Sequence, residues 1–181
     1  MSCSLSVVLD RPSLSLPYDS ISASRQSGEI DEDERHVCHE LEVSATVVVK
    51  VNRTIKVGLL KASFSSQQFL QDQEESQASS IELFTQEVTI LGHASGGLPH
   101  TLPVGSHTFR ATFAVPSWLP ATFTSTSNRV THRIIAQMSH PSLGYLPFNF
   151  KKFAKTAVQD LILIREAPST LNALRYWSGE R

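Results

Sequence analysis

Apolar and polar residues alternate along much of this chain. Leu41, Val43, Ala45, Val47, Val49 and Val51 occupy every second position, with Glu42, Ser44, Thr46 and Lys50 among the residues between them. Successive side chains of a strand point to opposite faces, so this period marks a strand with one buried face. A helix would scatter the same residues around its circumference. The chain turns near Asn52 and Arg53 and resumes with Ile55, Val57 and Leu59 toward Phe64, which reads as the second arm of an antiparallel hairpin. Comparable runs cover Leu83 to Leu91, His107 to Val115, Arg129 to Met138 and Ala157 to Arg165, and Ser4 to Leu9 supplies a short first strand. The expectation is about seven strands.

Turn chemistry separates these runs. Gly96, Gly97 and Pro99, then Pro103 and Gly105, bracket one loop, and Pro116 to Pro120 closes the Phe109 strand. Prolines fall between the strand candidates, where no ladder needs their missing N–H. Strands without helical periodicity predict an all-β antiparallel sandwich or barrel. Two stretches look unlike core. Residues 20–39 include the acidic run Glu29-Ile30-Asp31-Glu32-Asp33-Glu34, and residues 65–80 are rich in Gln, Ser and acids. Neither buries enough apolar surface to offset its ordering entropy, so both are expected as flexible exposed loops. The predicted organisation is one sandwich domain over 1–168 and a tail over 169–181.

Composition narrows the function. The 181 residues suit about one domain with a core of its own. Sixteen Lys and Arg against seventeen Asp and Glu leave a formal charge of −1, which disfavours nucleic-acid binding by the chain as a whole. Two cysteines, Cys3 and Cys38, make no disulfide framework and suit a reducing compartment. The opening MSCSLSVVLD has no basic start and no long apolar stretch, so it does not read as a secretory signal. No apolar run approaches the roughly 20 residues of a membrane-spanning helix. The expected location is the cytoplasm.

Candidate chemistry is sparse. His36, Cys38 and His39 crowd together ahead of the Leu41 strand, and such residues serve as metal ligands or as nucleophile and base. No second ligand pair follows at matching spacing, so the plainer reading is a polar loop, with no metal, cofactor or catalytic residue expected. The glycines at 92, 96 and 97 lack the Lys-Ser/Thr of a phosphate loop. Ser106 and His107 adjoin on a strand and face opposite ways. Lys151, Lys152 and Lys155 interleave with Phe148, Phe150 and Phe153, an arrangement suited to a phosphorylated peptide or an anionic membrane surface. The plainer alternative has the rings anchoring a connecting segment while the lysines stay solvated. Arg129 and Arg133 lie four apart on one strand face and are candidates to extend this partner-binding patch.

The block LPVGSHTFRATFAVPSWLPATF, residues 102–123, resembles the central signature of the arrestin N-terminal domain. In that family a leucine and a glycine precede a His-x-Phe strand, followed by a proline step with Ser and a large apolar residue. The strand candidates starting at Glu42 and Ile55 resemble the pair upstream of that signature. The resemblance implies an immunoglobulin-like, arrestin-like β-sandwich with long exposed loops. It also implies a non-catalytic adaptor for cytoplasmic regions of membrane receptors or transporters in endocytic trafficking or signalling, peripheral at the plasma membrane or endosomes. The alternative is a structural sandwich that forms an oligomer or joins a larger complex. Departures are concrete: Ser44 and Ala45 stand where the family commonly has a glycine, and His132 replaces an aromatic residue. The length admits one sandwich, where a full arrestin has two. No Pro-Pro-x-Tyr motif is present for recruiting a ubiquitin ligase.

Overall fold

In the computed structural model of the chain, the described residues are 3–16, 40–71, 78–92, 98–139 and 155–165. They form eleven strands. These are β1 (Cys3–Leu9), β2 (Ser13–Leu16), β3 (Glu40–Val51), β4 (Ile55–Val57), β5 (Leu59–Gln71) and β6 (Ala78–Leu91). The rest are β7 (His100–Leu102), β8 (Gly105–Pro116), β9 (Phe123–Thr124), β10 (Asn128–Ser139) and β11 (Lys155–Arg165). One layer is the sheet β1-β3-β8. The other is a six-stranded sheet in the order β2-β11-β10-β5-β6, with β9 also paired to β10. Strands β4 and β7 make a separate two-stranded ladder. All pairings are antiparallel except β2 with β11.

Alternation builds the core, as the sequence predicts for β3, β8 and β10. Val43, Ala45, Val47 and Val49 of β3 and Ala111, Phe113 and Val115 of β8 turn inward from the first layer. Leu60, Ala62 and Phe64 of β5, Ile134, Ala136 and Met138 of β10, and Leu161 and Leu163 of β11 meet them from the second. Each large aliphatic side chain so buried contributes about 1.5–3 kcal/mol.

Three expectations need correction. The expected hairpin between β3 and the following run does not form, because β3 and β5 lie in different sheets. Each has a single apolar face, and two such faces are buried by stacking as layers. The run from Ile55 to Phe64 is split at Gly58 into β4 and β5, and the Gly58 N–H donates to Ser139 O at 2.9 Å. Finally, residues 65–80 are not a loop throughout: β5 continues to Gln71 and β6 begins at Ala78. Strand β5 lies between β10 and β6, so both sides of its backbone have ladder partners whatever its side chains are. Serine is small enough to be buried there, as Ser65 and Ser66 are.

Glycine is required where β6 ends. Gly92 ends the β5–β6 hairpin at a φ of 86°, and a Cβ there would sit 2.1 Å from Gly58 O. Left-handed backbone and steric overlap act together. Gly92→Ala is expected to destabilise the fold by about 2–3 kcal/mol or more, read as a lower urea midpoint with an unchanged m-value.

The segment from Ser117 to Thr122 carries the chain from the first layer to the second. Leu119 is fully buried, and Arg165 Nη2 donates to both Ser117 O and Leu119 O at 3.1 Å. Thr122 N donates to Leu163 O at 2.9 Å and its Oγ1 accepts from Leu163 N at 2.9 Å. Carbonyls that would otherwise be stranded at the sandwich end are thereby satisfied.

Candidate functional site: a charged cleft where β1 leaves its sheet

Strand β1 pairs with β3 from Cys3 opposite Val51 to Leu9 opposite Ala45. Asp10 makes one further backbone contact, its N–H donating to Ser44 O at 3.3 Å. The chain then crosses through Arg11 and Pro12 to β2 in the other layer, where Pro12 O accepts from Ile162 N at 3.0 Å. Strand β3 runs on to Glu40 with β8 still beside it, but among the described residues no strand pairs with its other side over 40–43.

That departure opens a cleft of about 420 Å³ between the layers. Leu14 and Leu161 line it from the second layer and Val43 from the first, while Asp10, Arg11, Glu42, Ser44 and Arg110 supply polar groups. Arg110 lies across the outer face of the first sheet. Its Nη2 donates to Ser44 Oγ at 3.1 Å and stands 3.4 Å from Asp10 Oδ2. Ser44 Oγ is also 3.3 Å from Thr112 Oγ1. The Asp10–Arg110 pair is solvent-exposed, so it orients these groups more than it stabilises the fold. The lining includes neither Cys nor His. Its polar groups are cations, carboxylates and hydroxyls.

Of the basic residues singled out in the sequence, Arg129, Arg133 and Lys155 are described, and the three do not share one face. Arg129 and Arg133 do share the outer face of the six-stranded sheet. The Arg129 guanidinium lies 5.5 Å from the Phe69 ring centroid, and Arg133 Nε donates to Asp160 Oδ1 at 3.0 Å. Lys155 stands opposite Met138, whose side chain is buried in the core, so it projects from the inner face. Its Nζ donates to Cys3 O at the start of β1. Lys155 and the two arginines therefore point to opposite sides of the sheet. Lys151 and Lys152 lie outside the described residues, as do His36, Cys38 and His39. Periodicity gave no signal for the cleft, because Asp10, Arg11, Glu42 and Arg110 come from three separate segments that only the crossover brings together.

His132 is a second polar feature, within the core. It is 1% exposed, stacked on Phe64 at 6.2 Å, with Nε2 3.1 Å from Pro120 O and Nδ1 without a partner. Burial pushes its pKa down to about 4, and the hydrogen bond to Pro120 opposes this only in part.

No protein-family model matches the chain, and no curated protein matches it. Among solved structures it is similar to Spo0M, a sporulation control protein from Bacillus subtilis, with a TM-score of 0.53 at 15% identity. The match covers 98% of this chain and 56% of that one, so the chain spans little more than half the length of Spo0M. Identity this low carries the fold alone, and the fold is the arrestin-like β-sandwich. Among the described residues no helix is long and apolar enough to cross a membrane.

Proposed function

We propose that this chain is a non-catalytic adaptor module of the arrestin N-terminal type, which binds cytoplasmic segments of membrane receptors or transporters in endocytic trafficking or signalling. The observation that supports this reading is the cleft at Asp10, Arg11, Glu42 and Arg110, set in an arrestin-like sandwich beside a stretch of β3 that no described strand meets on its side away from β8. An extended segment adds readily to such an edge, because its main chain supplies the hydrogen bonds and pockets at alternate positions supply selectivity. Charged groups around the opening steer encounter and reject mismatched partners. The reading needs no cofactor, places the protein in the cytoplasm with peripheral membrane contact through its cargo, and gives it no direct contact with a ubiquitin ligase.

The test is binding of the purified protein to an array of cytoplasmic-tail peptides, each with and without phosphate, at two salt concentrations. Selective, saturable binding of a subset is expected. Arg110→Glu, which disturbs the cleft and no core contact, is expected to weaken it at least severalfold at low salt. A chain that ignores every tail would overturn the reading.

One observation favours a second reading, a structural sandwich that assembles with other chains. Val158, Ile162 and Ile164 on the outer face of β11 are each at least 50% exposed. Light scattering that gives a monomer mass at high protein concentration removes self-assembly.

A further inference from the structure

Building on the protein-binding reading above, we propose that the cleft takes its partner as an added strand on β3, continuing the line that β1 abandons at Asp10. We further propose that it selects a segment with an apolar residue facing inward, a basic residue opposite Glu42 and an acidic residue against Arg11.

Backbone orientation carries the first half. Ser44 O accepts from Asp10 N, so the Ser44 carbonyl points toward the side that β1 occupies. On the far side, Ala114 N donates to Gln86 Oε1 of β6 at 2.8 Å and therefore points away from β3, although Ala114 stands directly opposite Glu42. In an antiparallel ladder the N–H and C=O of one residue point the same way and alternate from residue to residue. Both observations assign the even-numbered residues of β3 outward from β8. The Glu42 N–H and C=O consequently face the cleft, where no described strand meets them. Over 40–43 the open stretch is about 13 Å long, which fits a ligand strand of about four residues. The other long edges are less suited. The Gln86 side chain caps β8 at Ala114, and the β5–β6 ladder shifts register twice, which twists the β6 edge.

The cleft lining carries the second half. Leu14, Leu161 and Val43 form an apolar floor between the layers, which suits the inward-pointing residue of the added strand. Two of the four lining charges, Asp10 and Arg110, already engage each other. The other two, Arg11 and Glu42, have no hydrogen bond or ion pair among the described residues. They are of opposite sign and come from different segments, so a ligand satisfies both only with a basic and an acidic residue in a fixed order. Directly opposed opposite charges stabilise a strand pair, and like charges destabilise it.

The experiment uses the full chain and two synthetic peptides with the same alternating apolar positions. One carries Lys and Asp in the order that meets Glu42 and Arg11, and the other carries them exchanged. Fluorescence anisotropy is expected to show tighter binding of the matched peptide. Glu42→Lys should weaken that peptide about tenfold and improve binding of the exchanged one. On adding the matched peptide, hydrogen exchange of the Glu42 amide should slow. If tail peptides bind but protect amides of β6 or β8, or bind Glu42→Lys as well as the unaltered chain, the cleft assignment is overturned and the adaptor reading stands. If the unaltered chain binds neither these peptides nor any tail, both fall.

Discussion

Replacing Phe64 with alanine is expected to lower the unfolding free energy by about 3–5 kcal/mol, the range for truncating a buried aromatic side chain. Phe64 is wholly buried and sits where the two layers meet. Its ring centroid lies 6.0 Å from Phe84 of β6, 6.5 Å from Phe113 of β8 and 6.2 Å from His132 of β10. Truncation removes contacts to strands of both layers at once, and the surrounding ladders are too constrained to close the cavity. A typical domain has only about 5–15 kcal/mol of stability, so the variant should approach the limit of folding. Phe64→Leu, which retains most of the volume, should cost roughly half as much or less. Urea unfolding followed by intrinsic fluorescence measures both. Equal midpoints for Phe64→Ala and the unaltered chain would contradict this account of the core.

Acid should weaken the fold through His132. Its pKa falls from 6.5 to about 4 on folding, chiefly because burial penalises the imidazolium. Around the ring stand Phe64 and Ser66 of β5, Leu161 of β11 and the Pro120 carbonyl, none of which bears a charge. A lowered folded-state pKa means that the unfolded chain binds the proton more readily. The contribution of this site is therefore intact above about pH 6.5, declines as pH falls toward 4, and levels off below that. The loss across the window is about 3 kcal/mol. His132→Phe keeps the stacking on Phe64 and removes the titration, so its stability should vary less between pH 7 and pH 4.5 than that of the unaltered chain. The same variant loses the bond to Pro120 O and should be the less stable of the two at pH 7, by about 1 kcal/mol. Denaturation midpoints at the two pH values decide it, and identical pH slopes would remove His132 as the cause.

These two residues also show how far the sequence could be read. Phe113 falls within an alternating run, so its inward placement followed from period alone, whereas Phe64 is out of step with Ile55, Val57 and Leu59 and turns inward because the strand restarts after Gly58. His132 shares the period of Val130, Ile134 and Ala136, which placed it on the buried face without indicating that it would stack on Phe64. Strands β2, β7 and β9 have four, three and two residues, too few for alternation to register. The polar half of β5 looks like a loop in sequence, because its side chains carry no apolar signal, while its backbone is paired on both sides. Spacing relates residues within one strand, as it did for Arg129 and Arg133, but the register of β10 against β11 set Lys155 on the other face.

The sequence by itself determined the class of the fold: strands with one apolar face, separated by turns rich in proline and glycine, have to stack as layers to bury those faces. Only the tertiary structure decided which strands pair and what stands at the opening between the sheets. The separation of β3 from β5, and the crossing of β1 to β2 through Arg11 and Pro12, depend on how two complete layers close over a common core. No single segment carries that information. The cleft exists because β1 leaves the sheet before β3 ends, and its charges come from residues far apart in sequence that share a place only after the layers have packed.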